Sequence, residues 1–238
     1  MVLTGHAQSI ESPNRQLNLT FHVDNGIPYY SLLYKGKIII EKSRLGFEMK
    51  NIPSMVDNFS ILKSSTSAFD ETWEPVWGEV KKIRNQYNEL EITLEQGSPK
   101  RTVIIRFRLY DDGLGFRYEF PNQKNLSYFT IAEEITQFNL GKDYTAFWIR
   151  GDYDTNEYNY TTSLLSEVSH QIDAATEEIS AQTPTKEISV QTPLMLKGNG
   201  VYINIHEAAL KDYPAMLLEL DSTGVILSTH LTPDPLGG

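Results

Sequence analysis

The sequence has 238 residues and no cysteine, with 21 Lys+Arg against 31 Asp+Glu and a net charge of -10. That balance argues against a nucleic-acid backbone or an anionic membrane surface as partner, since both recruit clustered positive charge. The missing cysteines exclude disulfides, zinc–thiolate sites and a thiol nucleophile, and no apolar run approaches the length of a membrane-spanning helix.

The N-terminal stretch, residues 1–9, reads in two ways. Met1-Val2-Leu3-Thr4-Gly5-His6-Ala7-Gln8-Ser9 resembles the tail of a secretory leader with Ala7-Gln8 as cleavage point, or a plain disordered terminus. Residues 10–238 are expected to form one domain. Leu17-Asn18-Leu19-Thr20-Phe21-His22-Val23 alternates apolar and polar side chains, as a half-buried strand does. Asp24-Asn25-Gly26 predicts a turn, Tyr29 to Tyr34 a second strand, and Ile38-Ile39-Ile40 a third beyond Lys35-Gly36-Lys37.

Glu89 to Leu94 again alternates with period two, and Thr102 to Tyr110 carries the strongest strand pattern in the chain. Asp111-Asp112-Gly113 turns it into Gly115 to Phe120, and Arg106, Arg108 and Arg117 are expected to share one face of that hairpin with carboxylates or solvent. Helical pattern is scarce: Ser163 to Val168 allows one or two turns, and Asp173 to Lys186 reads as a loop. Val201 to His206, Met216 to Leu220 and Val225 to Ser228 are late strands, the last two joined at Asp221-Ser222-Thr223-Gly224. Short strands separated by turns point to an all-β sandwich. The end, Thr232 to Gly238, is loop-like, as in a domain that continues into a longer protein or in a loose tail.

Three clusters carry candidate chemistry. Phe147 to Thr161 holds Asp152, Asp154, Glu157, two Asn and three Tyr behind Trp148. Hard cations take carboxylate, amide and carbonyl oxygens, and sugars take aromatic faces beside planar polar groups, so this segment suits either; the alternative is a solvated acidic loop. It lacks the spacing of an EF-hand. His206-Glu207 follows a predicted strand and offers a sugar hydroxyl a partner or a base, or else is structural. Phe69 to Glu79 sets Trp73 and Trp77 beside acidic residues, as a stacking platform or, as Pro75 and Gly78 suggest, as pins holding a long loop on the sheet. No Gly-rich phosphate loop or Gly-x-Ser-x-Gly elbow is present.

Five segments in order resemble the N-terminal domain of glycoside hydrolase family 97: Asp70 to Glu79, Ile83 to Leu90, Ile105 to Leu109 with Asp112 to Phe120, Gly151 to Tyr158, and His206 to Leu210. The likeness runs from about Ile10 to the end. It implies a β-supersandwich similar to galactose mutarotase-like domains, packed against a catalytic (β/α)8 barrel that is not in this chain. It implies a calcium-dependent, exo-acting α-glucosidase or α-galactosidase acting on α-linked oligosaccharides, secreted or periplasmic in a bacterium. By the resemblance, Glu157 is the one calcium ligand this domain supplies. The catalytic acid and base or nucleophile would lie in the barrel, so this chain alone is expected to be inactive. His206, Glu207 and Trp148 are the candidate substrate-binding residues. Two other classes compete: a non-catalytic carbohydrate-binding β-sandwich, and a structural partner domain without a ligand.

Overall fold

The computed structural model of the chain describes residues 7–172 and 188–234. The loop expected at Asp173 to Lys186, the start of the leader-like segment and the last residues of the tail lie outside them. Internal contacts group the chain into two compact units, residues 1–44 with 52–129, and residues 45–51 with 130–238.

The first unit holds two four-stranded antiparallel sheets. One is β1 (Gln8–Glu11), β2 (Leu17–Asp24), β3 (Ile27–Tyr34) and β4 (Lys37–Arg44), paired in chain order. β1 pairs Gln8 with Phe21 and Ser9 with Thr20, so two residues of the segment read as a leader or disordered terminus lie in a strand. At Asn25-Gly26 and at Lys35-Gly36 both turn residues have positive φ, the twist that two-residue hairpins need. Gly26 is required twice over, because a Cβ there would sit 2.9 Å from the backbone N of Asn58.

The second sheet of this unit is β6 (Phe59–Trp73), β7 (Ile83–Gln96), β8 (Arg101–Leu109) and β9 (Leu114–Glu119). Alternate residues of both sheets meet in a sandwich core: Leu19 and Phe21, Tyr30, Leu90, Ile92 and Leu94, Ile105 and Phe107 are all buried. Phe107 centres an aromatic group, with ring centroids 5.9 Å from Phe21, 6.3 Å from Tyr30 and 5.7 Å from Phe116. The opposite face of β7–β9 bears the three arginines, as expected. Arg106 reaches Glu89 at 2.5 Å, Glu91 at 2.7 Å and Glu119 at 2.9 Å; Arg108 reaches Glu89 at 2.7 Å, and Arg117 reaches Glu119 at 2.6 Å. Burial works to raise the Glu89 carboxyl, but hydrogen bonds from Arg108 and Arg106 outweigh it and hold Glu89 below the usual carboxylate range.

The second unit holds a two-stranded pair, β5 (Phe47–Met49) with β10 (Ile131–Glu134), and two further four-stranded antiparallel sheets. One orders β11 (Gln137–Asn139), β18 (Ile226–Leu231), β17 (Met216–Leu220) and β14 (Ser189–Gln191). The other orders β13 (Thr161–Leu164), β12 (Thr145–Trp148), β15 (Leu194–Gly198) and β16 (Val201–Ile205). Tyr144, Ala146, Trp148, Val190, Leu194, Leu196, Leu218 and Leu227 form its core. The short helix expected over Ser163 to Val168 starts later than predicted. Ser163 and Leu164 close β13, and a 3-10 turn at Leu165–Glu167 leads into α1 (Val168–Gln171). The all-β expectation holds in both units. Among the described residues no helix is long and apolar enough to cross a membrane.

Candidate functional site: the loop after strand β12

Strand β12 ends at Trp148, and the following backbone is captured by β14. Gln191 N–H donates to the Ile149 carbonyl at 3.1 Å, Arg150 bridges to Val190, and Gly151 N–H donates to the Ser189 carbonyl at 2.8 Å. A Cβ at Gly151 would meet Ser189 Oγ at 2.0 Å and the Ser189 carbonyl carbon at 3.1 Å, so a larger residue there would force Ser189 to shift. This close approach fixes where the chain leaves the sheet.

Beyond it, Asp152 organises the turn. Its Oδ1 accepts the Asp154 N–H at 2.8 Å and the Thr155 N–H at 3.3 Å, while its Oδ2 accepts the Tyr158 hydroxyl at 2.6 Å. Both Asp152 and Tyr158 are buried. Burial, with the carboxylate beside it, pushes the Tyr158 hydroxyl up to about 12, so it stays a donor at any physiological pH. Gln191 Nε2 donates to the Thr155 carbonyl at 2.7 Å, and Thr155 Oγ1 accepts the Glu157 N–H at 3.2 Å. Tyr153 is held separately: its hydroxyl lies 2.5 Å from His230 Nε2, and His230 Nδ1 lies 3.3 Å from Glu133.

The outcome is a split among the three acidic residues of the cluster. Asp152 is consumed inside the loop. Asp154 and Glu157 are exposed, and the Glu157 carboxylate has no hydrogen-bond or ion-pair partner among the described residues. As a calcium seat the loop is incomplete. The ion takes roughly six to eight oxygens, both oxygens of buried Asp152 already accept hydrogen bonds within the loop, and no group of three His, Asp or Glu side chains that could hold a metal occurs among the described residues. Within this loop, Glu157 is the glutamate whose carboxylate is exposed and unpaired among the described residues.

The other candidates are differently placed. Trp148 is 0% exposed and its indole N–H donates to Ser163 Oγ at 3.1 Å. The alternation of β12 turns Ala146 and Trp148 into the core, so the ring has no face open to a sugar, and its part is to seat the strand from which the loop leaves. Glu207 is half-buried and structural: Oε1 accepts the Met216 N–H at 2.6 Å, and Oε2 lies 2.5 Å from Thr192 Oγ1. It ties the end of β16 to the start of β17. His206 is exposed, with Nδ1 3.0 Å from the Glu207 carbonyl. No hydrogen bond or ion pair joins Glu157 to His206 or Glu207 among the described residues. The connection carrying His206 is tied down by Tyr213, whose hydroxyl donates to buried Glu134 at 2.7 Å.

Trp73 and Trp77 pin no loop. β6 and β7 pair out to Trp73 with Ile83, so the first part of the segment, Phe69 to Trp73, is strand, and Trp73 is 48% and Trp77 88% exposed. Sequence reading did not find the Tyr153–His230–Glu133 chain. His230 lies 77 residues from Tyr153, and its only local signal is its position on the face of β18 opposite buried Leu227, Thr229 and Leu231.

The profile described as Glycosyl-hydrolase 97 N-terminal matches residues 10–233. A retaining alpha-galactosidase of Bacteroides thetaiotaomicron is 23% identical over 239 residues, covering 95% of this chain and 32% of that protein. A glycoside hydrolase family 97 enzyme from Pseudoalteromonas sp. strain K8, solved in complex with acarbose, is 32% identical with a TM-score of 0.81, covering 97% of this chain and 32% of its own. A form of that family 97 enzyme in complex with panose superposes with a TM-score of 0.82 at 32% identity, with the same coverage. The chain thus spans about a third of the length of these relatives. With a match across nearly all of its residues, the chain belongs to the glycosyl-hydrolase 97 N-terminal family.

Proposed function

We propose that this chain is the N-terminal domain of a calcium-dependent, exo-acting α-glycosidase, and that it contributes Glu157 to a metal site completed by a following catalytic domain. The observation that carries the reading is the contrast within one loop. Asp152 and Tyr158 clamp the backbone from inside, while Glu157 is presented to solvent with its carboxylate uncommitted. An exposed, unpaired carboxylate contributes little to stability and is open to a shared cation. Calcium bound there would supply a positive charge that orients a sugar hydroxyl. This chain's own part is to hold one oxygen ligand in place. Protonation of the leaving oxygen falls to carboxyl groups of the following domain.

The substrate class is an α-linked oligosaccharide, glucoside or galactoside, and the mature protein acts outside the cytoplasm. The relatives are glycosidases of bacteria, and residues 1–9 read like the tail of a secretory leader. In the full-length polypeptide, Glu157→Ala is expected to lower hydrolysis of an aryl α-glycoside at least about tenfold and to weaken calcium binding measured by titration of the metal-stripped protein. Undiminished hydrolysis and calcium affinity in that variant would falsify the assignment.

A further inference from the structure

The loop that carries Glu157 reaches over one face of the sheet β11–β18–β17–β14. Gln191 of β14 pairs with Leu217 of β17, and Leu217 pairs with His230 of β18, so the three side chains form one row on one face. The loop meets the sheet at three points. Two involve the edge strand β14: Gly151 N–H donates to the Ser189 carbonyl at 2.8 Å, and Gln191 Nε2 donates to the Thr155 carbonyl at 2.7 Å. The third is on β18, where the Tyr153 hydroxyl lies 2.5 Å from His230 Nε2. β17 separates those two strands, which sets the third point about 10 Å from the edge. Contacts along a single strand leave a loop free to swing about that edge. A further contact two strands away removes the swing.

His230 is itself set by β10. Glu133 Oε1 accepts the Leu231 N–H at 2.9 Å, and its Oε2 lies 3.3 Å from His230 Nδ1. A carboxylate at Nδ1 keeps the neutral ring's proton on that nitrogen, which leaves Nε2 to accept the tyrosine O–H. The His230 side chain is only 16% exposed and the Tyr153 ring lies 5.8 Å from it, so little water reaches the imidazole to compete for the bond.

We propose that His230 is a positioning residue for Glu157: through the Tyr153 hydroxyl it holds the far side of the loop and so fixes where the exposed carboxylate stands. The inference rests on the reading of Glu157 as a calcium ligand. Calcium takes its oxygens at roughly 2.3–2.6 Å, so a ligand on backbone without a strand ladder must be placed by side chains. Asp152 and Tyr158 fix the loop's own shape, whereas Gln191 and His230 fix it against the sheet. Between Tyr153 and Glu157 the backbone is closed by Asp152, which accepts the Asp154 and Thr155 N–H groups. A constraint at Tyr153 therefore reaches Glu157 through a short, tied turn.

Tyr153→Phe, which removes one oxygen, and His230→Leu test this in the full-length protein, beside the double variant. Amide hydrogen exchange of the metal-stripped protein, read by mass spectrometry over residues 152–158, is expected to quicken about fivefold in each single variant, as for the loss of one hydrogen bond. Calcium titration of the same preparations is expected to show affinity weakened by a similar factor. The double variant should be no worse than either single one, because both substitutions break the same bond. Unchanged exchange or undiminished calcium affinity in Tyr153→Phe overturns the proposal. Losses that add in the double variant also overturn it, since they make His230 a packing residue independent of Tyr153. If His230→Leu does not fold, Tyr153→Phe decides by the same two readings. Glu157→Ala separates the two claims. Calcium affinity lowered there but not in Tyr153→Phe ends the positioning role alone, while affinity undiminished in Glu157→Ala ends the calcium reading itself.

Discussion

The loop after β12 and the tip of the β6–β7 ribbon are both exposed, yet they are held by opposite means. The loop has no regular structure and is fixed almost entirely by polar groups: Asp152 takes three hydrogen bonds, Gly151 is pressed onto Ser189, and Gln191 reaches across to Thr155. The ribbon, where β6 and β7 stay paired beyond the end of β8, has a continuous strand ladder and little else. Its side chains are exposed from Leu62 to Trp73, and apolar groups crowd the end where no packing partner exists within its unit. Irregular backbone can therefore be rigid and regular backbone can be unfinished. Order depends on whether polar groups are satisfied and apolar ones buried, and a strand assignment settles neither.

The largest effect is expected where the ribbon is rooted. Arg106 serves Glu89, Glu91 and Glu119 together on a partly buried face. Arg106→Met leaves three carboxylates crowded without their shared cation and is expected to cost about 3 kcal/mol in urea unfolding. The same network sets an acid limit. Hydrogen bonds from Arg106 and then Arg117 hold Glu119 below its ordinary value against burial, and Glu89 is likewise lowered. Folded pKa values below the unfolded ones mean that the stabilisation is present above the ordinary carboxylate pKa near 4.5 and is lost as pH falls through the folded values. Stability of the wild-type chain should thus decline below about pH 4.5, and Arg106→Met should flatten that decline. An unchanged slope in the variant would assign acid sensitivity to other groups.

An intermediate effect is expected in the loop. Tyr158→Phe removes the donor to a buried carboxylate oxygen and should destabilise by about 1–2 kcal/mol. Calcium affinity of the full-length protein should fall with it if the clamp places Glu157. A destabilised variant with full calcium affinity would separate the clamp from the ligand. The smallest effect is expected at the ribbon tip. Trp77→Ser should shift unfolding of the 238-residue chain by less than about 0.5 kcal/mol, the ordinary range for a surface position. A larger loss would show that Trp77 already packs within this chain.

Nine of the eighteen described strands were legible, because burial on one face writes period two into the sequence: Leu17 to Val23 and Met216 to Leu220 fall on observed strands, and Thr102 to Tyr110 does so as far as Leu109. The outer part of β6 was not, for the same reason. Ser64-Ser65-Thr66-Ser67 is exposed throughout, so no face selects apolar residues and no alternation marks the run as strand. Glu157 was flagged only through its motif, and the structure shows it exposed. Trp148 was drawn to the site by its position beside the motif, although alternation with Ala146 already marked it for the core. Glu207 looked available, but its partners Thr192 and Met216 belong to elements that nothing local ties to it.

By itself the sequence determined the all-β class, the tight turns and the polar character of the loop at 152–158, because each follows from side-chain period or from residues that tolerate positive φ. Tertiary structure decided which carboxylate of that loop is spent inside it and which is displayed, and that two tryptophans stand in solvent at the end of a ribbon. Burial and hydrogen-bond satisfaction are properties of contacts between distant segments, so no local pattern can assign them.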